Sequence, residues 1–569
     1  MMAAEHPTPA GGAINANDLA AAALLVEMAR RDAPDLVPAP LAWVALCLAL
    51  RAPRDGHTCV DLADVTDWAG DGADGLDWPE DAGAWIAALG SAGPLVGRSG
   101  DRTPFILDGT RLYLARALHE ELEIAHRLVQ RDASPISILL GGPGTGKTTR
   151  VATRLIELLR DKPDARIALA APTGKAAARM AEALRSRLHD EHAPPEVKHA
   201  PQHVRDAVAA VRPLTIHKLL GLRPQGTPRY RFNATNRLTG DFVVVDEASM
   251  MSSSLMHHLL AAVGDTTQLL LVGDPNQLAS VDAGTVLGDI AKAAARPGSA
   301  LAGRTETLTV RHRFGPRIGA LADAILAGDD DGVARAFTIL EGRWAPVADP
   351  HDAKPDDPAS IRWIDPETSA LDGLAAEVVA QAARLRELAA ARNTAAALAA
   401  QRRLQVLCGH RGGPGGVAGW NARVEERLGV AGGAAWYAGR PVMVTRNSPA
   451  LDLFNGDLGV VVPGAEAGRM DVAFPVAGGP PRLVPVSRLE DVETVHALTI
   501  HKSQGSEYEH VVVVLPERAG RLVTRELLYT GVTRASGRVT LVGSRAVIEA
   551  AIRRPIRRAT GLADRLAGT

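Results

Sequence analysis

Hydrophobic residues in the middle of the chain follow two alternating patterns. Short continuous apolar runs such as Ile136–Leu140 end in glycine or polar residues, whereas segments such as Thr148–Arg160 repeat apolar residues at helical spacing. Apolar runs separated by amphipathic helices are typical of a parallel sheet covered by helices on both faces. The pattern therefore predicts an α/β protein with its ligands at the carboxyl ends of the strands. The other predicted strands are Ile167–Ala170, Phe242–Val245, Gln268–Val272, Leu404–Cys408, Val511–Leu515 and Val539–Val542.

The first part of the chain, residues 1–125, lacks this alternation. Helical patterns occur at Leu19–Arg31, at Leu41–Arg51 and near Leu112–Val129. The region contains neither a phosphate-binding loop nor paired catalytic residues. We therefore expect a small helical domain that serves as a scaffold or docking unit.

The rest of the chain divides into two α/β domains, predicted at 126–345 and 346–569. The boundary is a Pro- and Asp-rich stretch at 346–360, and the alanine-rich segment Ala370–Ala400 that follows is predicted to be helical. Short strands with many Gly and Pro turns occupy about 437–491. This texture predicts a small β-barrel inserted into the second α/β domain.

The composition is that of an ordinary folded protein. A length of 569 residues exceeds what one hydrophobic core supports, so three or four domains are expected. The net charge is −2, so any nucleic acid must be attracted by local basic patches. The 3 cysteines stand far apart without a CxxC pair, which favours a reducing compartment and argues against a zinc site. Without a recognisable signal peptide or a long apolar run, the chain is predicted to be cytoplasmic and not a membrane protein.

A glycine-rich loop follows the first predicted strand and matches G-x-x-x-x-G-K-T in full. Its glycines let backbone N–H groups surround phosphate oxygens at the start of a helix. Lys147 is expected to reach the β- and γ-phosphates of a nucleotide, and the Thr148 hydroxyl to hold Mg²⁺. The predicted phosphate-binding residues are Gly141, Gly142, Pro143, Gly144, Thr145, Gly146, Lys147, Thr148 and Thr149.

A phosphate loop needs a carboxylate for the metal and a group that orients the attacking water. Asp246 and Glu247 follow directly after the apolar strand Phe242–Val245. We expect Asp246 to bind Mg²⁺ and Glu247 to act as the base that activates water. Gln277, in the turn after the next strand, is positioned to sense the γ-phosphate through one hydrogen bond.

Arginines are needed to neutralise the charge that develops on the transferred phosphoryl group. The candidates are Arg313, in the sequence Arg-His-Arg-Phe, and Arg534, in Val-Thr-Arg-Ala. Each is an ordinary surface arginine unless other motifs place it at the site.

Taken together, the motifs resemble superfamily 1 helicases, and more closely the RecD family, the alpha subunits of exodeoxyribonuclease V (RecBCD). The stretch Gly56–Leu62 in the first unit is also similar to that family. The matching motifs stand in the family's order and cover most of the chain from Ile136 to Ser544. They are GGPGTGKTT, APTGKAAARM, TIHKLLG, VVVDEASMM, LVGDPNQLASV, HRFG, GRPVMVTRN followed by LFNGDLG, TIHKSQGSE and LYTGVTRA.

The resemblance implies two RecA-like P-loop domains with parallel sheets, a helical N-terminal domain and a small inserted SH3-like β-barrel. ATP would bind between the RecA-like domains, with Gly505 and Glu507 coupling the nucleotide to the grip on DNA. The implied activity is an ATP-dependent helicase moving 5′→3′ on single-stranded DNA. The implied partners are DNA ends and RecB-like and RecC-like subunits in a heterotrimer.

Implied DNA contacts occur in both α/β domains and suit binding that holds phosphates without reading bases. Two residues of the inserted barrel, Asn447 and Asn455, are weaker candidates than these. The contacts implied are Pro172, Thr173, Gly174, Lys175, Thr215, His217, Thr499, His501 and Lys502.

One feature departs from related helicases, which place an adenine-reading glutamine some twenty residues before the phosphate loop. Here Glu120, Glu121 and Glu123 occupy that region, and Gln130 stands too near the loop to be equated with it. The segment between the first unit and the phosphate loop is therefore predicted to be shortened, which leaves adenine recognition unassigned.

Three alternative functions remain at the level of sequence. A nuclease would need a carboxylate cluster, but Asp329–Asp331 is flanked by glycines and is predicted to be a solvated turn. We therefore expect nuclease activity only in the whole complex. A DNA-stimulated ATPase that unwinds little by itself fits the same motifs. A kinase or GTPase would leave TIHKSQGSE and VTRA without a role.

Overall fold

The computed structural model describes most of the chain. The predicted domain boundary at 346–360 lies mainly outside the described residues, as does the segment directly before the phosphate-loop strand. The described ranges are 14–65, 78–130, 136–223, 229–344, 357–430, 436–466, 468–476 and 479–568.

The N-terminal unit combines helices with a small sheet. The helices predicted near residues 19–31 and 41–51 are Ala16–Ala29 and Pro40–Arg51, and both bury apolar side chains in one core. The prediction of a helix from Leu112 is wrong at its start, because Leu112 and Tyr113 lie in a strand and are fully buried. A third helix is Ala82–Leu89, and the strands, in spatial order, are Cys59–Asp61, Arg111–Leu114, Phe105–Asp108 and Val96–Gly97.

The first α/β domain contains a six-stranded sheet in which every described pairing is parallel. Its strands, in spatial order, are Thr305–Leu308, Ile136–Gly141, Gln268–Gly273, Phe242–Val245, Ile167–Ala171 and Pro213–Thr215. The central strands are buried on both faces, as their continuous apolar runs predict. The helices are Ala115–Val129, Lys147–Asp161, Gly174–Leu188, Pro195–Lys198, Gln202–Ala210, Ile216–Leu219, Ser253–Ala262 and Val286–Ala294.

The second α/β domain has a five-stranded parallel sheet. Its strands, in spatial order, are Ile361–Ile364, Ala535–Val542, Tyr508–Val514, Leu404–Cys408 and Ala497–Thr499. The predicted alanine-rich helix is two helices, because Asn393 caps a new helix after Arg392 adopts a positive φ of 58°. The helices are Ala370–Ala390, Thr394–Gln401, Val417–Arg427, Arg525–Val532 and Arg545–Arg553.

Two further helices, Pro316–Ala327 and Asp330–Leu340, pack into the core of the second sheet. The predicted boundary between residues 345 and 346 therefore falls inside one packed unit. The aspartate cluster Asp329–Asp331 begins the later helix: Asp329 caps it by accepting from the Gly332 amide at 2.8 Å. The cluster is thus a helix N-terminus and not an isolated turn.

An antiparallel five-stranded sheet is inserted between Leu404–Cys408 and Ala497–Thr499. Its core is formed by valines and leucines together with Phe474. In spatial order the strands are Arg482–Pro485, Met470–Phe474, Leu458–Pro463, Pro441–Val444 and Val492–Thr494.

The C-terminal end returns to the first α/β domain. The helix Leu562–Ala567 packs on Ala115–Val129 and Val286–Ala294, and its two leucines are buried. The fully buried Glu121 fixes this junction, since it accepts from Thr560 Oγ1 at 2.9 Å and from the Tyr113 hydroxyl at 3.2 Å. Across the described ranges, no helix combines the length and apolar character needed to cross a membrane.

Candidate active site

The phosphate loop joins the strand Ile136–Gly141 to the helix Lys147–Asp161. Gly144 and Gly146 have positive φ values of 80° and 86°, a conformation that favours glycine. A Cβ on Gly144 would also collide with the Arg313 Cβ. Lys147 Nζ donates to the carbonyls of Gly141 and Gly142 at 2.5 and 2.9 Å, which holds its ammonium inside the loop.

Two acidic residues follow the strand Phe242–Val245, two positions away from the phosphate-loop strand in the same sheet. Burial and the adjacent charge of Glu247 raise the pKa of the Asp246 carboxyl to about 6, while Lys147 acts in the opposite direction. Glu247 adopts a left-handed φ of 52°, which is rare for a residue other than glycine and turns the chain sharply after the strand.

A third carboxylate, Asp274, directly follows Gln268–Gly273, the strand that lies between the phosphate-loop strand and Phe242–Val245. It is 1% exposed and accepts from Gln277 Nε2 and from the Tyr529 hydroxyl, each at 3.1 Å. Tyr529 belongs to the second domain, so this contact crosses between the domains. The Gln277 side chain is thereby fixed through its nitrogen, and its buried Oε1 has no hydrogen-bond partner among the described residues.

Glu507 from the second domain meets two arginines of the first. Its Oε2 lies 3.2 Å from Arg313 Nε and 3.7 Å from Arg179 Nη2. Arg179 also donates to the carbonyl of Gly505, which has a positive φ of 67°. The two residues predicted to couple nucleotide and DNA therefore form the contact between the domains beside the phosphate loop.

Arg534 approaches the same space from the second domain and is 3% exposed. Its guanidinium donates to the carbonyls of Thr530 at 3.2 Å and Ser506 at 3.4 Å. Burial lowers the pKa of Arg534, and the charge of Glu247 opposes that effect. These bonds leave the arginine pre-positioned at the cleft.

A cavity of about 970 Å³ brings these residues together. It combines the phosphate loop with carboxylates of the first domain and arginines from both domains, so it offers cationic groups and backbone N–H groups to a polyphosphate. The predicted residues that line it are Pro143, Gly144, Thr145, Gly146, Lys147, Thr148, Thr149, Asp246, Glu247, Gln277, Arg313, Glu507 and Arg534.

The residues predicted to contact DNA in the first domain differ from one another in their surroundings. Thr173 and Thr215 each cap a helix, with their Oγ1 atoms accepting backbone N–H groups at 3.2 Å. Lys175 is placed differently: its Nζ is buried without a hydrogen-bond partner in the described part of the chain, and burial lowers its pKa to about 7. Phe454 of the inserted sheet lies directly against Gly174, and a Cβ there would be 2.5 Å from the ring.

The second-domain contacts lie on one segment, Thr499–Lys502. Thr499 Oγ1 accepts from the Lys502 amide at 3.3 Å, and Lys502 Nζ pairs with Glu493 at 2.5 Å. Burial lowers the pKa of His501 and of His217 in the first domain. In the inserted sheet, Asn447 Oδ1 accepts from the Asn455 amide at 2.9 Å, so these two residues stabilise a turn.

The glutamates before the phosphate loop have structural partners. Glu121 forms the buried junction described above, Glu120 pairs with Arg116 at 2.8 Å, and Glu123 with Arg127 at 3.4 Å. None of the three lines the cavity.

Three residues at the cleft were not selected from the sequence. Asp274 stands in a turn whose Asp-Pro-Asn composition is common in loops, Arg179 is one of many helical arginines, and Tyr529 lies in an apolar helix. Asp274 lies in the motif LVGDPNQ and Arg179 in APTGKAAARM, so motif membership is the sequence signal that could have identified them. The contact from Tyr529 depends on the arrangement of two domains and has no local signature.

Three family models match separate parts of the chain. They are the N-terminal domain of the RecBCD enzyme subunit RecD over residues 10–113, an AAA domain over 126–283 and a UvrD-like helicase C-terminal domain over 494–542. A solved structure of two coordinating Pif1 helicases at forked DNA covers 75% of this chain and 93% of its own, with 16% identity and a TM-score of 0.38. At that score the likeness is too weak to define the fold.

Curated relatives match over nearly the whole length. The RecBCD enzyme subunit RecD of Mycolicibacterium smegmatis is 41% identical over 564 residues, covering 92% of this chain and 93% of that protein. RecD of Mycobacterium tuberculosis is 40% identical, with coverage of 92% and 91%. The ATP-dependent RecD2 DNA helicase of Deinococcus radiodurans is 32% identical over 78% of this chain but only 50% of its own length. With the phosphate loop, the carboxylates and the arginines gathered in one cleft, this chain belongs to the RecD family, the RecD subunits of RecBCD enzymes.

Proposed function

We propose that this chain is an ATP-dependent DNA helicase and translocase that moves 5′→3′ and acts as the RecD subunit of a RecBCD complex. In that role it serves double-strand break repair, recombination and DNA degradation in the cytoplasm, with RecB-like and RecC-like partners. The observation that carries the proposal is that one cavity is lined by the phosphate loop, Glu247 and Gln277 from one domain and by Glu507 and Arg534 from the other. Such a cavity changes shape whenever the domains move.

The proposed chemistry uses these residues in distinct roles. The phosphate loop and Lys147 hold the β- and γ-phosphates, Glu247 takes a proton from the attacking water, and Gln277 orients the γ-phosphate. Arg313 and Arg534 stabilise the charge that develops during transfer. Thr148 and Asp246 supply oxygen donors that suit Mg²⁺, a metal that is usually held by one or two protein ligands together with phosphate oxygens.

The proposed cycle follows from the contacts between the domains. The ion pairs of Glu507 with Arg313 and Arg179, and the Tyr529 contact with Asp274, close the cleft. ATP binds the closed arrangement more tightly than the open one and therefore favours closure. Hydrolysis removes ATP and so releases the closed arrangement. The two groups of residues predicted to contact DNA lie in different domains. Closure of the cleft therefore changes the distance between the two sites that bind the DNA strand.

The domain roles are part of the proposal. The N-terminal unit is the docking domain, and the sheet that carries the phosphate loop belongs to the first RecA-like domain. The second RecA-like domain begins with the helix Pro316–Ala327, because that helix packs into its core. The inserted antiparallel sheet, from Pro441–Val444 to Val492–Thr494, is the SH3-like barrel. The Phe454 contact with Gly174 places that sheet against one predicted DNA-contact segment.

Strand displacement tests the proposal. With ATP and Mg²⁺, the complex of this chain with its partners, carrying an inactivated RecB-like motor, is expected to unwind a duplex with a 5′ single-stranded tail far faster than one with a 3′ tail. The matched control carries Glu247→Gln in this chain and should lose the 5′-tail activity. Equal unwinding from both tails, or 5′-tail unwinding that persists in the Glu247→Gln complex, would contradict the proposal.

A further inference from the structure

The end of the chain crosses from the second α/β domain back to the first. Residues 554–561, here called the strap, connect the helix Arg545–Arg553 with the helix Leu562–Ala567. At its start, Ile556 donates its amide to Glu526 of the second domain at 2.7 Å. At its end, Gly561 donates to the buried Glu121 at 3.2 Å. The strap is therefore anchored in both domains.

One side chain of the strap, Arg558, holds a turn of the first domain. Its Nη2 donates to the carbonyl of Ser280 at 2.6 Å, and its Nη1 to the carbonyls of Asp282 and Gly284 at 2.8 and 3.0 Å. Ser280 Oγ also donates to the Asp282 carbonyl at 2.7 Å. Three carbonyl oxygens that converge on one guanidinium fix the shape of this turn, since charge-assisted bonds are stronger than neutral ones.

The turn continues directly from Gln277, and residues 277–284 are here called the Gln277 loop. Its first part is held by the second domain: the Leu278 amide donates to Thr530 Oγ1, and its carbonyl accepts from Gln504 Nε2, each at 3.0 Å. Its second part is held by Arg558. The loop that carries Gln277 is thus hydrogen-bonded to the second domain in its first part and to Arg558 of the strap in its second part.

The N-terminal unit contacts the same point. The Gly284 amide donates to the Gly56 carbonyl at 3.0 Å, and the Ala559 amide to His57 Nδ1 at 2.9 Å. Gly56 has a positive φ of 87°, and a Cβ there would lie 2.7 Å from the Arg558 Cζ. The positive φ and the nearby guanidinium therefore favour glycine where the N-terminal unit contacts Arg558.

We propose that Arg558 is a positioning residue for ATP hydrolysis: it ties the Gln277 loop to the strap, so that the orientation of Gln277 follows the movement of the second domain on DNA. Arg558 acts through the loop backbone and does not line the cavity. The proposal rests on the proposed function, because it requires hydrolysis that responds to DNA.

The test is the ratio of ATP hydrolysis rates with saturating oligo-dT and without DNA, measured on the full chain. Arg558→Ala is expected to lower that ratio about tenfold, because it removes the charge-assisted hydrogen bonds that hold the loop. Arg558→Lys keeps the charge but not the planar guanidinium, so its ratio should lie between those of Arg558→Ala and the wild type. Arg553→Ala is the matched control, since that exposed arginine ends the helix directly before the strap and pairs with Asp330 instead. It should keep the wild-type ratio.

A double-mutant cycle separates positioning from general stability. In a Gln277→Ala background, Arg558→Ala is expected to cause no further loss, because the group that it positions is absent. If Arg558 has a purely structural role, the reductions in the ratio caused by Gln277→Ala and by Arg558→Ala should multiply. If Arg558→Ala fails to fold by thermal unfolding, Arg558→Lys takes its place in the cycle.

The outcomes distinguish this inference from the proposed function. A ratio within twofold of wild type in the Arg558 variants, or losses that multiply with Gln277→Ala, would overturn the role of Arg558 while leaving the motor intact. A wild-type chain whose hydrolysis ignores oligo-dT would instead overturn both.

Discussion

Replacing Lys147 by alanine is expected to reduce ATP hydrolysis by at least about 10²–10³-fold, the range seen when one donor that stabilises developing charge is removed. The ammonium lies inside the phosphate loop on the carbonyls of Gly141 and Gly142. Its charge also lowers the pKa of the Asp246 and Asp274 carboxyls, against the effect of burial. The variant therefore loses phosphate binding and removes a cation that opposes the effect of burial on two buried acids.

Steady-state hydrolysis at saturating ATP measures this effect, and nucleotide binding by fluorescence shows how much of it is affinity. Lys162→Ala is the matched control, because that exposed lysine follows the same helix and pairs with Asp241. The control should hydrolyse ATP at the wild-type rate. A Lys147→Ala chain that hydrolyses ATP within tenfold of wild type would mean that nucleotide is bound elsewhere.

Arg534→Ala is expected to lower kcat by about 10³-fold with little change in ATP affinity, because an arginine that acts on the transferred phosphoryl group contributes on the order of 10³–10⁵. The side chain reaches the cleft from the second domain and is held there by the carbonyls of Thr530 and Ser506. Arg534→Lys should not restore the rate, since an ammonium lacks the planar fork that fits phosphate.

Arg538→Ala provides the comparison for this substitution, since Arg538 is exposed on the strand that follows Arg534. Its kcat is expected to stay at the wild-type value. Because Arg534 is buried, thermal unfolding must accompany the kinetics. A folded Arg534→Ala chain with kcat within threefold of wild type would remove Arg534 from the reaction.

Much of the cleft could be predicted from local sequence, for a physical reason. A phosphate loop needs glycines with positive φ and a lysine at a helix start, so Gly144, Gly146 and Lys147 are recognisable within the short motif G-x-x-x-x-G-K-T. The buried strands were also visible, because a strand covered on both faces is apolar throughout. The edge strand Thr305–Leu308 was missed since three of its four residues are polar.

The remainder depends on contacts between distant segments. Glu121 is buried with partners from both ends of the chain, and Arg558 holds a loop some 280 residues away in sequence. Neither residue has a local sequence signature. The small sheet of the N-terminal unit was missed for a related reason: its strands have 2 to 4 residues. Elements of that length carry too few positions for a period to be recognised.

Hydrolysis of ATP by the purified chain, with and without single-stranded DNA, tests the central claim most directly. The cavity is built from two domains that each carry predicted DNA contacts, so DNA that holds both domains is expected to favour the closed cleft. The account predicts hydrolysis that rises at least about tenfold with saturating single-stranded DNA, as expected when a ligand shifts a two-state equilibrium. A rate that stays the same with DNA, in a chain whose hydrolysis Lys147→Ala abolishes, would show an ATPase that is not a DNA motor.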